Sequence, residues 1–173
     1  DISDSSGIGY LTGGLNMMQT DYNNDGFKDI FVLRGAWKGK FGSNPNSLLR
    51  NNGNGSFTDV TKESGLLSFH PTQTATWADF NNDGWLDVFI GNESTPLGGI
   101  HPCELYINNK NGTFFFYSVS AGCAITDFVK GVTSGDYDND GLTDIFISSL
   151  AGKKILLKNK SGQNGKVKFE DVS

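Results

Sequence analysis

Three nine-residue segments concentrate oxygen-bearing side chains at fixed offsets. Asp21-Tyr22-Asn23-Asn24-Asp25-Gly26-Phe27-Lys28-Asp29 recurs as Asp79-Phe80-Asn81-Asn82-Asp83-Gly84-Trp85-Leu86-Asp87. It returns as Asp136-Tyr137-Asp138-Asn139-Asp140-Gly141-Leu142-Thr143-Asp144. Positions 1, 3, 5 and 9 are Asp or Asn in every copy: Asp21, Asn23, Asp25 and Asp29; Asp79, Asn81, Asp83 and Asp87; Asp136, Asp138, Asp140 and Asp144. Alternate residues of a tight turn can converge on one point, and the Gly at position 6 permits the reversal. The main-chain carbonyl at position 7 (Phe27, Trp85, Leu142) can add one more oxygen.

Hard oxygen donors in a flexible loop, with no His or Cys among them, suit Ca²⁺. Mg²⁺ demands a stricter octahedral cage and comes second. Each segment resembles an EF-hand loop for six positions and then departs from it. Position 12 is Val32, Ile90 or Ile147 where Glu would be needed, so the Asp at position 9 must close the site. Ten of the nineteen carboxylates lie in these loops, where they would repel one another without a cation. Three bound Ca²⁺ would move the formal charge from −5 to +1. The expectation is three calcium sites.

The loops need elements to hold them, and the elements repeat with them. The acidic segments are 58 and 57 residues apart, and a second landmark keeps step: Asn51-Asn52-Gly53-Asn54-Gly55-Ser56-Phe57 against Asn108-Asn109-Lys110-Asn111-Gly112-Thr113-Phe114. A looser copy runs from Asn159 to Phe169. Each unit reads as four short strands rich in β-branched and aromatic residues, bounded by Asn/Gly turns, with no helix-length periodicity. Four antiparallel strands per unit is the pattern of a β-propeller blade. The fold class is therefore all-β, one repeat array over 1–173. The approximate blades are 9–66, 67–123 and 124–173, with 1–8 completing a preceding repeat. Composition agrees: 23 Gly, 17 Asn and four Glu in 173 residues disfavour a helical bundle. The 36% hydrophobic content excludes a disordered chain, and a net charge of −5 argues against a nucleic-acid phosphate binder. No apolar run reaches the ~18–20 residues of a membrane span.

Strand–DxNxDGxxD–strand units of this length resemble FG-GAP/VCBS repeats, the blades of integrin α-type β-propellers. The segments Pro71-Thr72-Gln73-Thr74-Ala75-Thr76-Trp77-Ala78-Asp79, Gly91-Asn92-Glu93-Ser94, His101-Pro102-Cys103-Glu104-Leu105-Tyr106 and Phe128-Val129-Lys130-Gly131-Val132 look like the cartilage acidic protein family and its bacterial relatives. The resemblance implies a secreted or surface-exposed calcium-binding propeller in adhesion or matrix roles, periplasmic in some bacterial settings, usually with more than three blades. In such an oxidising setting Cys103 and Cys123, which flank one strand pair, are expected to form a disulfide.

Other features are weaker. His70 and His101 are the only histidines, each beside a proline in a loop, and read as structural. There is no GxSxG, HExxH or P-loop, so no enzyme activity is expected. Trp37, Trp77 and Trp85 could stack on sugars but more commonly fill space between blades. Asn54, Asn92, Asn111 and Asn159 match the glycosylation acceptor pattern, with Asn54 and Asn111 best placed in hairpin tips. The leading function is a non-enzymatic extracellular module for adhesion or structural assembly. It would bind a protein or glycan ligand through variable loops such as Trp37 to Asn46 and Glu93 to His101. The alternatives are a lectin-like carbohydrate binder and the non-catalytic part of a secreted enzyme. Three whole periods fall short of the four to eight blades that usually close a ring. Further blades of a longer chain, or head-to-tail self-association, are therefore expected to cover the end faces.

Overall fold

The computed structural model describes residues 1–34, 44–150, 152–162 and 166–173, and within them twelve strands and one helical turn form. The first sheet holds β1 (Asn16–Thr20), β2 (Asp29–Leu33), β3 (Ser47–Asn51) and β4 (Phe57–Asp59). The second holds β5 (Thr72–Ala78), β6 (Asp87–Asn92), β7 (Glu104–Asn108) and β8 (Phe114–Phe116), followed by α1 (Ser118–Ala121). The third holds β9 (Val129–Gly135), β10 (Asp144–Ser149), β11 (Ile155–Asn159) and β12 (Phe169–Asp171). Each sheet is antiparallel with its strands in chain order, the up-and-down meander of a propeller blade.

Neighbouring blades pack face to face over two hydrophobic clusters. One contains Phe31, Leu33, Leu48, Ala75, Val88, Ile90, Tyr106 and Phe114, contributed by the first and second sheets. The other contains Phe80, Phe89, Leu105, Ile107, Val129, Ile145, Ile147, Leu157 and Phe169, from the second and third. The period-2 alternation of a strand makes this possible. On β6, Val88 and Ile90 face one cluster and Phe89 the other, so every residue of that strand is buried. Trp77 sits between blades as expected, edge-on to Phe31 and Phe114 at centroid distances of 5.6 and 5.8 Å. Trp37 lies outside the described residues.

The single turn of helix was not anticipated. It occupies the place taken in the earlier repeats by the turns ending at Gly7 and Gly65, and Gly122 shares their left-handed backbone, with φ 76° against 78° and 82°. All three turns receive the last strand of a sheet. The Phe57 N–H donates to the Ser6 carbonyl and the Phe114 N–H to the Ser64 carbonyl, while a Cβ on Gly122 would stand 3.2 Å from the Phe169 carbonyl oxygen. Among the described residues no helix is long and apolar enough to cross a membrane.

Candidate metal centre

The three acidic loops join the first and second strands of their sheets, all at one end of the array. Their internal hydrogen bonds repeat. The position-1 carboxylate accepts the N–H groups of positions 5 and 6: Asp21 from Asp25 and Gly26 (both 3.1 Å), Asp79 from Asp83 and Gly84 (2.9 and 2.7 Å), Asp136 from Asp140 and Gly141 (3.1 and 2.9 Å). The position-5 carboxylate accepts the N–H of Phe27, Trp85 or Leu142 at 2.9–3.0 Å. Each loop is thereby wound about its position-1 carboxylate.

Position 9 anchors the loop in the blade. Asp29, Asp87 and Asp144 open the second strands and are almost wholly buried. One oxygen of each accepts the N–H of Tyr22, Phe80 or Tyr137, and the other that of Asn51, Asn108 or Asn159 at the end of the third strand. These are neutral donors to a charged group. Burial is the main cause that pushes the Asp29 carboxyl up to about 6 and Asp87 to about 7, with the neighbouring loop carboxylates adding to the rise and the backbone N–H groups partly offsetting it.

In the third loop, one oxygen each of Asp136, Asp138 and Asp144 lies within 4.8 Å of the others. Positions 1, 3 and 9 therefore converge, and in the first two loops position 3 is Asn23 or Asn81. Those amides donate to Asp25 and Asp83 (2.7 and 2.9 Å), while their oxygens face the N–H of the same residues. Asp140 stands apart from its cluster, held by the Leu142 N–H and Lys158. The Lys158 ammonium bonds Asp138 and lies 3.2 Å from Asp140, and these contacts raise its own pKa. Lys110 makes a similar but single ion pair with Asp83 at 3.2 Å.

Two sets of asparagines join the blades, a role the sequence did not suggest for them. Asn24, Asn82 and Asn139, at position 4, adopt left-handed backbone (φ 55°, 54° and 59°), which Asn tolerates better than most residues. The Asn24 amide reaches the Gly84 carbonyl of the next loop (3.2 Å) and the Asn82 amide reaches that of Gly141 (3.0 Å). Asn108 donates to both Tyr22 and Leu86 carbonyls, and Asn159 to both Phe80 and Thr143, so each bridges two blades beneath the loops. The signal was present, since both positions are Asn in all three repeats.

Three expectations need correction. Cys103 and Cys123 are free thiols. Both are buried in one apolar cluster, and the Cys123 Sγ faces the Ser118 carbonyl at 3.6 Å. Burial pushes both thiols up to about 12, so they behave as small core residues. Asn159 is fully buried with both amide hydrogens engaged, which leaves no room for a glycan. Asn92 is likewise fully buried, bonded to Glu104 and the Pro102 carbonyl. Asn54 and Asn111 remain at hairpin tips, where each side-chain oxygen accepts bonds from Ser56 or Thr113 two residues on.

The loops at the other end of the array are less regular. Glu93 to His101 places Leu97 and Ile100 in solvent beside a cleft of about 340 Å³ lined by Ser94, Thr95, Ile100, Asp127 and Phe128. Most of the Trp37 to Asn46 loop lies outside the described residues.

The FG-GAP-like repeat model matches residues 21–90 and 91–147, most of the chain. Human cartilage acidic protein 1 is 27% identical over 152 residues, covering 87% of this chain and 21% of that protein. The Xenopus tropicalis protein of the same name is 26% identical, covering 84% and 21%. The chain thus spans about a fifth of the length of the curated relatives it matches. A solved Agrocybe aegerita lectin, described as recognising non-reducing terminal N-acetylglucosamine, superposes with a TM-score of 0.46 at 20% identity, over 91% of this chain and 38% of that one.

Proposed function

The chain belongs to the FG-GAP-like repeat family, and from that premise we propose that it is a calcium-stabilised β-propeller module for extracellular adhesion or structural assembly, without catalytic activity of its own. The observation that carries this reading is the threefold recurrence of one loop on a buried position-9 aspartate. Asp29, Asp87 and Asp144 are taken out of water with neutral backbone donors as partners, an arrangement that favours a nearby cation. The donor set fits Ca²⁺ because every candidate ligand is oxygen.

Asp21, Asn23 and Asp29 would hold the ion in the first loop, Asp79, Asn81 and Asp87 in the second, and Asp136, Asp138 and Asp144 in the third. Asp25, Asp83 and Asp140 and the carbonyls of Phe27, Trp85 and Leu142 stand as further donors. Bound calcium would supply charge neutralisation between the first two strands of a blade. The chain's own residues do the rest: Asn51, Asn108 and Asn159 hold the position-9 carboxylates, and two of them also bond the preceding blade. A secreted, cell-surface or periplasmic location suits such sites, since extracellular modules bind calcium at about 10⁻⁴–10⁻³ M.

A partner, protein or glycan, would bind at the end opposite the acidic loops. The cleft beside Phe128 combines an aromatic ring with Asp127 and the hydroxyls of Ser94, Thr95 and Thr126, a set able to hold a sugar, and this favours carbohydrate binding as the second reading. Calorimetric titration of chelator-stripped protein tests the first. Three equivalents of Ca²⁺ and a melting temperature lowered by chelator are expected; absent heat with unchanged melting would refute it.

A further inference from the structure

The two histidines of the chain, His70 and His101, are 31 positions apart, and the fold brings them together. His70 lies between β4 and β5 and His101 between β6 and β7, at the end of the second blade away from the acidic loops. Their Nδ1 atoms are 2.9 Å apart, with the rings inclined at 68°. The repeat itself does not require them. One period back from His70 stands Thr12, and one period on stands Asp127.

The tautomer of His101 follows from its other nitrogen. Nε2 lies 3.0 Å from the Gly98 carbonyl oxygen, which only accepts, so Nε2 carries the proton and Nδ1 presents a lone pair to His70. An imidazole whose distal N–H is held by a backbone carbonyl is oriented as metal-binding histidines are. The mount is rigid: the Ser94 hydroxyl accepts the His101 N–H at 2.8 Å and donates to the His101 carbonyl at 2.9 Å.

The main chain of His70 is held as well. Its backbone N–H meets the Ser68 hydroxyl at 3.4 Å, and that hydroxyl donates to Glu104 at 2.9 Å. Glu104 is buried, and its bonds come from Ser68, Asn92 and Tyr106, all neutral. Glu104 thereby ties Ser68, two residues before His70, to Asn92 and Tyr106 of the second blade. With no metal between the rings, His70 must donate its Nδ1–H to His101. Moving that proton to the His70 Nε2 turns both Nδ1 lone pairs towards one point.

We propose that His70 and His101 form a two-imidazole site for a borderline divalent transition metal of the Zn²⁺, Ni²⁺ and Cu²⁺ class, its remaining positions taken by water or by a donor from a bound partner. Nitrogen ligation separates the site from the oxygen loops, which suit calcium.

The test uses the full chain free of any polyhistidine tag, in excess Ca²⁺ so that the acidic loops are filled. Calorimetric titration with Ni²⁺ is expected to show one equivalent. His70→Ala and His101→Ala should each weaken binding at least about tenfold and leave the calcium titration unchanged. Electron paramagnetic resonance of the wild-type protein with one equivalent of Cu²⁺ reads the ligands without any variant, and coupling to two imidazole nitrogens is expected. Absence of Ni²⁺ binding, binding that both variants retain, or a Cu²⁺ spectrum of oxygen ligands alone would overturn the proposal and leave the pair as a hydrogen-bonded strut.

Discussion

Replacing Asp87 by Asn separates what the buried carboxylate costs from what it provides. The side chain is fully buried, and its two oxygens accept the N–H groups of Phe80 (3.0 Å) and Asn108 (2.9 Å). Its pKa rises from 3.8 to about 7, chiefly through burial. At about 1.4 kcal/mol per unit, the charged form costs the calcium-free fold about 4 kcal/mol at and above neutral pH. The amide removes that charge but offers one acceptor where the carboxylate offered two, and an unsatisfied buried N–H costs about 1–3 kcal/mol. Without calcium, Asp87→Asn should therefore be more stable than wild type by about 1–3 kcal/mol, or roughly 2–4 °C of melting temperature per kcal/mol at this chain length.

Calcium should invert the order. Wild type gains about 4 kcal/mol per site at a thousandfold excess over Kd, and the variant forfeits one such gain. Differential scanning calorimetry at pH 7.5, in chelator and in saturating calcium, reads both signs. If the variant melts below wild type in chelator, the buried charge is not a liability. If its calcium-dependent gain equals that of wild type, Asp87 is no ligand.

The same burial sets a pH dependence for the calcium-free protein. Asp29 and Asp87 have folded pKa values raised to about 6 and about 7, so their stabilising contribution is complete below about 4 and is lost as pH rises through 6 to 7. Melting in chelator should thus rise from pH 7.5 to pH 5, and a flat or falling profile would count against it. Lys158→Met removes the ammonium that bonds Asp138 and Asp140, so the third loop should bind Ca²⁺ several-fold more tightly, as read by calorimetry; unchanged affinity would show that the lysine does not compete. Asn82→Gly keeps the left-handed backbone but loses the bond to Gly141, costing about 0.5–1.5 kcal/mol. Asn82→Ala should cost about 1–2 kcal/mol more through strain, and equal melting of the two variants would contradict the role of φ. Cys103 and Cys123 should resist alkylation in the native state and both react on unfolding without reductant, which intact mass would show.

The blades were legible because two landmarks share one period, and a period fixes both strand count and the phase of burial. The expected convergence of positions 1, 3, 5 and 9 was legible in part: in the third loop Asp136, Asp138 and Asp144 come together, while Asp140 is held aside by the Leu142 N–H and Lys158. What stayed hidden depends on partners distant in sequence. Asn159 matches a glycosylation acceptor, yet its amide is buried between the Phe80 carbonyl of the neighbouring blade and the Thr143 carbonyl of its own. Lys158 precedes it without any mark in the motif, yet the return of β11 sets its ammonium on Asp138. His70 and His101 each look like an isolated loop residue until β6 and the turn before β5 are placed side by side.

The loops are also the joints between blades, so an ion bound in them would be coupled to assembly. The Asn108 N–H holds Asp87 while its side-chain amide holds the Tyr22 carbonyl, one residue from Asp21 of the preceding loop. Asn159 repeats the arrangement with Asp144 and Phe80. A blade that undocks therefore releases a bond at its neighbour's loop as well as its own apolar face. Calcium should accordingly stabilise the docked array beyond the individual hairpins, because the position-9 carboxylate is oriented by an asparagine that is itself fixed across the joint. An isolated loop has the ligands of the motif but not this support.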